Sequence, residues 1–423
     1  MAEEGSGAPG QRRPERSDTQ RRSDSAGMLV VAVLAIGLLS LNLRIPTAAT
    51  GPLLPIIGAD TGHGETVLSL LTTIPLVLVF VIAPITPRIT GRFGRSRVIG
   101  CVLVLIIVGT MVRSFPGNLG LFAGTTILGI AIALGTVLGP AAVAASRRAW
   151  RGWLTATFTM TLSLGPAMAL GLTIPMMTGF GLEWRGALLL WGVVGVLGLG
   201  FWLAYTRLLT RREVAADGAR EGAADAANPI ARAVPVVRDP RVWGLAVYLG
   251  TTSLIFYVSS TWLPTTFAQM GLDADGAGGY TSLISIIAIP FAFLAPLALR
   301  RGWGMLIVPL GPLIACAGAV LLLTAESGGV LGTSVLLGIA QGICLGVSYG
   351  LVVEFATSPE HAASVSAVTS TVGIALAAGG PLAFGFGLEV TGSYVVPVVG
   401  LGVIALLQAL LGVWTARLGP ARR

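Results

Sequence analysis

Charge is scarce in this chain. Asp, Glu, Lys and Arg make up 11% of its 423 residues, where an ordinary soluble domain carries about 25%. Lysine is absent altogether, so all 27 basic residues are arginine; GC-rich coding accounts for that without a functional reading. Histidine occurs twice, at His63 and His361, which excludes a histidine cluster for a metal or a haem. The three cysteines, Cys101, Cys316 and Cys344, lie in apolar runs with no paired spacing. Neither a disulfide framework nor a cysteine metal site is expected. Carboxylates are missing at depth too. Glu354 alone lies towards the interior of an apolar run, while Asp60, Glu183, Asp273, Asp275, Glu326 and Glu389 fall in predicted outer loops.

What is abundant is apolar sequence. Hydrophobic residues make up 54% of the chain, mean hydropathy is +0.84, and runs of about 20 apolar residues recur, as a polytopic α-helical membrane protein requires. A net charge of +8 and a pI near 10.2 would suit a nucleic-acid binder. The arginines, however, are scattered through short loops with no basic or aromatic face, so no nucleic-acid partner is expected.

Twelve membrane spans are predicted, near 28–50, 66–87, 98–114, 118–144, 152–177, 184–206, 242–267, 278–299, 304–324, 328–353, 363–388 and 393–416. Residues 1–27 read as a disordered tail. The polar stretch 208–241 reads as a linker between two six-helix halves, 28–207 and 242–416, with 417–423 as a second tail. The first run is too long for a signal-peptide core and lacks a small-residue cleavage site, so it is expected to persist. With the N-terminus inside, 24 arginines fall on the cytoplasmic side, Arg113 and Arg185 fall outside, and Arg44 stands within a span. Both termini are therefore expected in the cytoplasm.

The halves echo each other at an offset of about 210 residues. Gly179-Phe180-Gly181-Leu182-Glu183 recurs as Gly385-Phe386-Gly387-Leu388-Glu389. Leu54-Pro55 recurs as Leu263-Pro264, and Pro75 with Pro84 recurs as Pro290 with Pro296. A six-plus-six parallel repeat is the layout of alternating-access carriers, with the site at mid-membrane between the halves. Arg44, in Asn42-Leu43-Arg44-Ile45-Pro46, is the one arginine that no predicted loop claims. A charge at such depth costs about 2.5–3.5 kcal/mol and normally faces a protein interior or a watery cavity; the bland alternative is that it snorkels to the headgroups.

The stretch Arg88-Ile89-Thr90-Gly91-Arg92-Phe93-Gly94-Arg95-Ser96-Arg97 resembles the cytoplasmic gating motif of the major facilitator superfamily, with Gly91 where the motif usually has aspartate. Further matches resemble its cyanate permease and 2-nitroimidazole transporter branch. They are Asn42-Leu43-Arg44 with Gly51-Pro52-Leu53-Leu54-Pro55, Leu70-Leu71-Thr72-Thr73-Ile74-Pro75, Trp184-Arg185-Gly186-Ala187, Phe256-Tyr257 with Trp262-Leu263-Pro264, Gln341-Gly342 and Gly380-Pro381. Departures fall at Thr136, where the branch tends to have asparagine, at Thr252, where glutamine is usual, and at Leu345, near a common Phe.

The resemblance implies an all-α membrane protein with 12 transmembrane helices in two pseudo-symmetric six-helix bundles, the major facilitator fold, in a bacterial cell membrane. It also implies that helices 1, 4, 7 and 10 line a cavity. The substrate-binding candidates are then Arg44, Asn42, Thr136, Thr252, Tyr257, Trp262, Gln341 and Tyr349; the gating candidates are Arg92, Gly94, Arg95 and Glu354. The expected function is secondary active transport of a small anion or small polar or planar solute, cyanate-, nitrate-, carboxylate- or nitroimidazole-like, by a monomer in the lipid bilayer. No cofactor is expected, and a proton is a candidate coupling ion. The second reading is a proton-coupled drug or metabolite exporter, which generally needs an acid buried among helices 1 to 6. A membrane enzyme is more remote, because it needs a nucleophile–base pair or a metal cluster. A receptor would carry a soluble output domain, for which neither tail has the length.

Overall fold

Among the described residues every regular element is a helix. The structure, a computed structural model, describes residues 18–147, 149–208, 238–355 and 359–417, so the distal tails and most of the expected linker lie outside it. Twelve helices are long and apolar enough to cross a membrane. The N-terminal six are α1 (Gly27–Thr61), α2 (Glu65–Ile82), α3 (Arg95–Ser114), α4 (Asn118–Ala145), α5 (Arg151–Gly179) and α6 (Trp184–Leu208). The C-terminal six are α7 (Pro240–Gln269), α8 (Ala274–Arg300), α9 (Gly304–Thr324), α10 (Val330–Val352), α11 (Val365–Thr391) and α12 (Val395–Thr415).

Several local departures from the sequence expectation have plain causes. Helical backbone reaches back to Asp18, into the segment expected to be disordered, because extending an existing helix costs far less than starting one. The α1 span is broken: the helix ends at Ala48, a 3-10 turn covers Gly51–Leu53, and a short helix follows over Leu54–Thr61. Pro52 has no N–H to give, so the α-helical ladder fails there. The arginine motif after α2 is largely a short helix, Thr86–Phe93, rather than a loop, with Gly94 at φ +81° turning the chain into α3. The second Gly-Phe-Gly-Leu-Glu copy lies within the last turns of α11 rather than beyond it.

Packing divides the molecule by depth. Ile36, Leu39, Leu43, Val102, Ile106 and Leu128 form a core inside the N-terminal bundle. Val242, Leu245, Tyr248, Leu299, Val308 and Val347 form another inside the C-terminal bundle. A third core joins the two at the end remote from the linker, where Leu53, Leu54, Ile57 and Leu170 pack with Trp262, Leu263, Phe267 and Phe384. The bundles are therefore fused at that far end and keep separate cores towards the linker end. At the fusion, a Cβ on Gly51 would stand 2.2 Å from the Ser260 carbonyl oxygen of α7, a spacing no other residue tolerates. Nearby, the Glu389 carboxylate of α11 accepts the Thr66 N–H of α2 at 2.9 Å. On the outside, Val403, Leu406, Leu407 and Leu410 of α12 are exposed at helical spacing, an apolar face suited to lipid.

Candidate substrate site

The break in α1 and the close approach of α7 create the site. Arg44 lies two residues before Pro46, and its Nη1 donates to the Tyr257 hydroxyl oxygen at 2.6 Å. The guanidinium also lies 5.5 Å from the ring centroids of both Phe256 and Tyr257, within range of a cation–π attraction. Those two rings meet edge to face at 5.1 Å. Thr47, Ala48, Thr72, Pro166, Ser260 and Thr261 complete a cleft between the bundles. The Thr72 and Thr261 hydroxyls bond across it at 3.2 Å. The cleft is tight: about 10 Å³ of its space would take the centre of a water molecule.

Chemically, the cleft offers a planar cationic fork held at its side by a phenol, hydroxyls around it and two aromatic rings as walls. A guanidinium pairs well with a planar anion or a nitro-type oxygen pair, and the rings suit a flat solute.

The other expected binding residues are dispersed. Tyr349 is 55% exposed and does not line the cleft. Thr136 is exposed and returns its hydroxyl to Ile132 O at 2.7 Å. Asn42 turns away from Arg44: its Nδ2 donates to Leu38 O and to Val194 O of α6, so it ties helices together. Trp262 is 1% exposed, donates Nε1–H to Pro381 O at 2.9 Å and stacks on Phe384. Thr252 and Gln341 line a different cavity, inside the C-terminal bundle, with Ser259, Cys344 and Gln408.

Of the gating candidates, Arg92 stacks on Phe93 at 5.6 Å and Arg95 donates to Ala141 O at 3.1 Å within its own bundle. Glu354 lies on the helix that α10 continues to Phe355, and its side chain is outside the described residues. Three features escaped the sequence reading. The cleft hydroxyls of Thr47, Ser260 and Thr261 stand three or four residues from Arg44 or Tyr257, a helical spacing that marks them. Gln408, a lone amide on α12, carries no such signal. Arg113, expected on the outer side at the end of a span, is 1% exposed and donates to Pro46 O at 2.8 Å; hydropathy reads an arginine at a span end alike whether it faces water or folds inward.

Two apolar six-helix bundles that meet around a half-buried charge make a multi-pass membrane protein with a polar cleft between its halves. The family model for the Major Facilitator Superfamily matches residues 29–381, and the chain belongs to that superfamily. It is 28% identical to the 2-nitroimidazole transporter of Escherichia coli over 394 residues, covering 92% of this chain and 96% of that protein. It is 27% identical to the uncharacterized transporter YycB of Bacillus subtilis, covering 92% and 93%. The cyanate transport protein CynX of Escherichia coli is 24% identical over 64% of this chain and 67% of its own. Among solved structures, a bacterial homologue of the human lysosomal transporter Spinster, inward-facing and unoccupied, has a TM-score of 0.73 at 15% identity, covering 92% of this chain and 97% of that one. The D-xylose–proton symporter has 0.69 at 16%, covering 92% and 97%.

Proposed function

We propose that this protein is a secondary active transporter that moves a small anion or small planar solute across the cytoplasmic membrane by alternating access, with both termini inside. The observation that carries the reading is Arg44, half-buried between the bundles with its Nη1 on Tyr257 of the opposite bundle. A solute at that point touches both bundles at once, as a rocking carrier requires. The far-end fusion and the separate cores towards the linker support an arrangement closed on one side. Similarity to a 2-nitroimidazole transporter and a cyanate transport protein supports a solute whose recognised end is a compact, electron-rich group.

The test is thermal stabilisation of the purified full chain by cyanate, nitrate, small carboxylates and nitroimidazoles, with Arg44→Ala alongside. A bound solute at a hundred times its Kd stabilises by about 2.7 kcal/mol. At least one solute is expected to raise the melting temperature of the wild type and not of the variant. Equal stabilisation of both proteins would remove Arg44 from the site.

A further inference from the structure

Arg113 stands in the last turn of α3 and is the most deeply buried charge described. Its Nη1 donates to Pro46 O at 2.8 Å, while Nε and Nη2, equally buried, have no partner. Among the described residues no carboxylate pairs with it. Its burial is enforced by close helix packing: a Cβ on Gly124 of α4 would stand 2.3 Å from the Arg113 backbone nitrogen. A cation held by a single carbonyl stabilises less than an apolar side chain of the same size would. Packing alone therefore gives no reason for an arginine here, and the carbonyl it holds suggests one.

Pro46 O lies where α1 breaks. Ala49 N–H still reaches Ile45 O at 2.9 Å, but at the next carbonyl the guanidinium is the near donor at 2.8 Å, with the Thr50 hydroxyl at 3.4 Å from the same oxygen and 2.8 Å from Thr47 O. Two residues before this point Arg44 meets Tyr257; five residues after it Gly51 presses on Ser260. We propose that Arg113 is a positioning residue that pins the break of α1 between its two contacts with α7, and so sets the aim of Arg44 and the closure of the far end. The unpartnered N–H groups on Nε and Nη2 let it take another carbonyl of the break when the outer part of α1 turns. This inference rests on the cleft being the substrate site for its effect on transport, but its effect on closure does not.

The experiment uses the full chain with Cys101, Cys316 and Cys344 replaced by serine and spin labels at Glu183→Cys and Asp275→Cys, exposed positions on opposite bundles at the far end. Distance distributions are compared for the parent, Arg113→Met and Arg113→Lys, together with melting temperature and, in proteoliposomes, the kcat and KM for whichever solute stabilises the wild type. Arg113→Met is expected to melt no lower than the parent and to populate longer distances at least threefold more. Its kcat should fall at least tenfold with KM within threefold, and Arg113→Lys should fall between the two. An unchanged distance distribution in Arg113→Met overturns the proposal, whatever the melting temperature does. If that variant does not insert, Arg113→Lys decides on the same measurement. The distances need no substrate, so they stand even if the solute assignment fails.

Discussion

The interface cleft and the inner cavity of the C-terminal bundle are both lined by polar side chains, and they differ in where the polar groups find partners. In the C-terminal bundle, Gln408 is 1% exposed and its Nε2 donates to Tyr248 O at 3.0 Å and to the Thr252 hydroxyl at 2.7 Å. Those partners belong to the same bundle, and only the Gln408 Oε1 acceptor is left buried without one. In the interface cleft, Arg44 takes its partner from the opposite bundle and keeps further donors free towards the open space. A guanidinium has five N–H donors and cannot discharge, so the cleft retains a demand for acceptors that the inner cavity lacks. Polarity alone therefore does not set the proposed substrate site apart. Unspent charge between the two bundles does.

That contrast is broken most directly at Arg44. Arg44→Ala removes the only charge lining the cleft; losing a charge-assisted hydrogen bond costs about 1.5–3 kcal/mol, or roughly 10–100-fold in Kd. The expected result is loss of saturable uptake with folding intact, read by proteoliposome transport and melting temperature together. Gln408→Ala should do the reverse. It removes two buried hydrogen bonds and opens space, so stability should fall by about 1–3 kcal/mol while solute affinity stays within about twofold; a chemical or thermal melt with a binding isotherm separates the two. A Gln408→Ala protein that melts normally but binds poorly would erase the distinction between the cavities.

Tyr257→Phe sharpens it. The ring that walls the cleft remains, and only the hydroxyl that accepts from Arg44 at 2.6 Å is lost. That bond aims Arg44 rather than touching the solute, and the guanidinium keeps its charge without it, so the expected Kd is roughly two- to tenfold weaker, a smaller effect than the loss at Arg44. An equal loss at both positions would mean that the phenol, not the guanidinium, makes the main contact.

Much of this was legible before any coordinates. The twelve helices, the repeat and the charge in α1 follow from hydropathy and composition, because a membrane leaves the backbone few alternatives. What composition does not convey is helical phase. Asn42 is two residues from Arg44, roughly 200° around the helix, and Trp262 and Thr252 are each five residues from Tyr257, about 140° away. None of the three shares a face with the residue it was grouped with, whereas Thr47, Ser260 and Thr261 do. Arg113 was not legible at all. Its inward turn is set by α3 pressing on Gly124, a tertiary fact that no local pattern announces.

The smallest expected effect is the most discriminating for phase. Gln341 stands on α10, the same helix as Tyr349, yet its side chain lines the inner cavity with Thr252 and Gln408. Eight residues separate it from Tyr349, about 12 Å of helical rise and a rotation of roughly 80°, enough to take Tyr349 out of that cavity. Gln341→Ala should therefore leave the Kd of a stabilising solute within about twofold, since it removes no cleft contact. A Tyr349→Ala variant, at an exposed position of α10 outside the inner cavity, should weaken binding more than Gln341→Ala. Isothermal binding on the two variants in parallel settles the order. If Gln341→Ala is the more damaging, the solute reaches past α7 into the C-terminal bundle, and the two cavities are one site seen in its closed state.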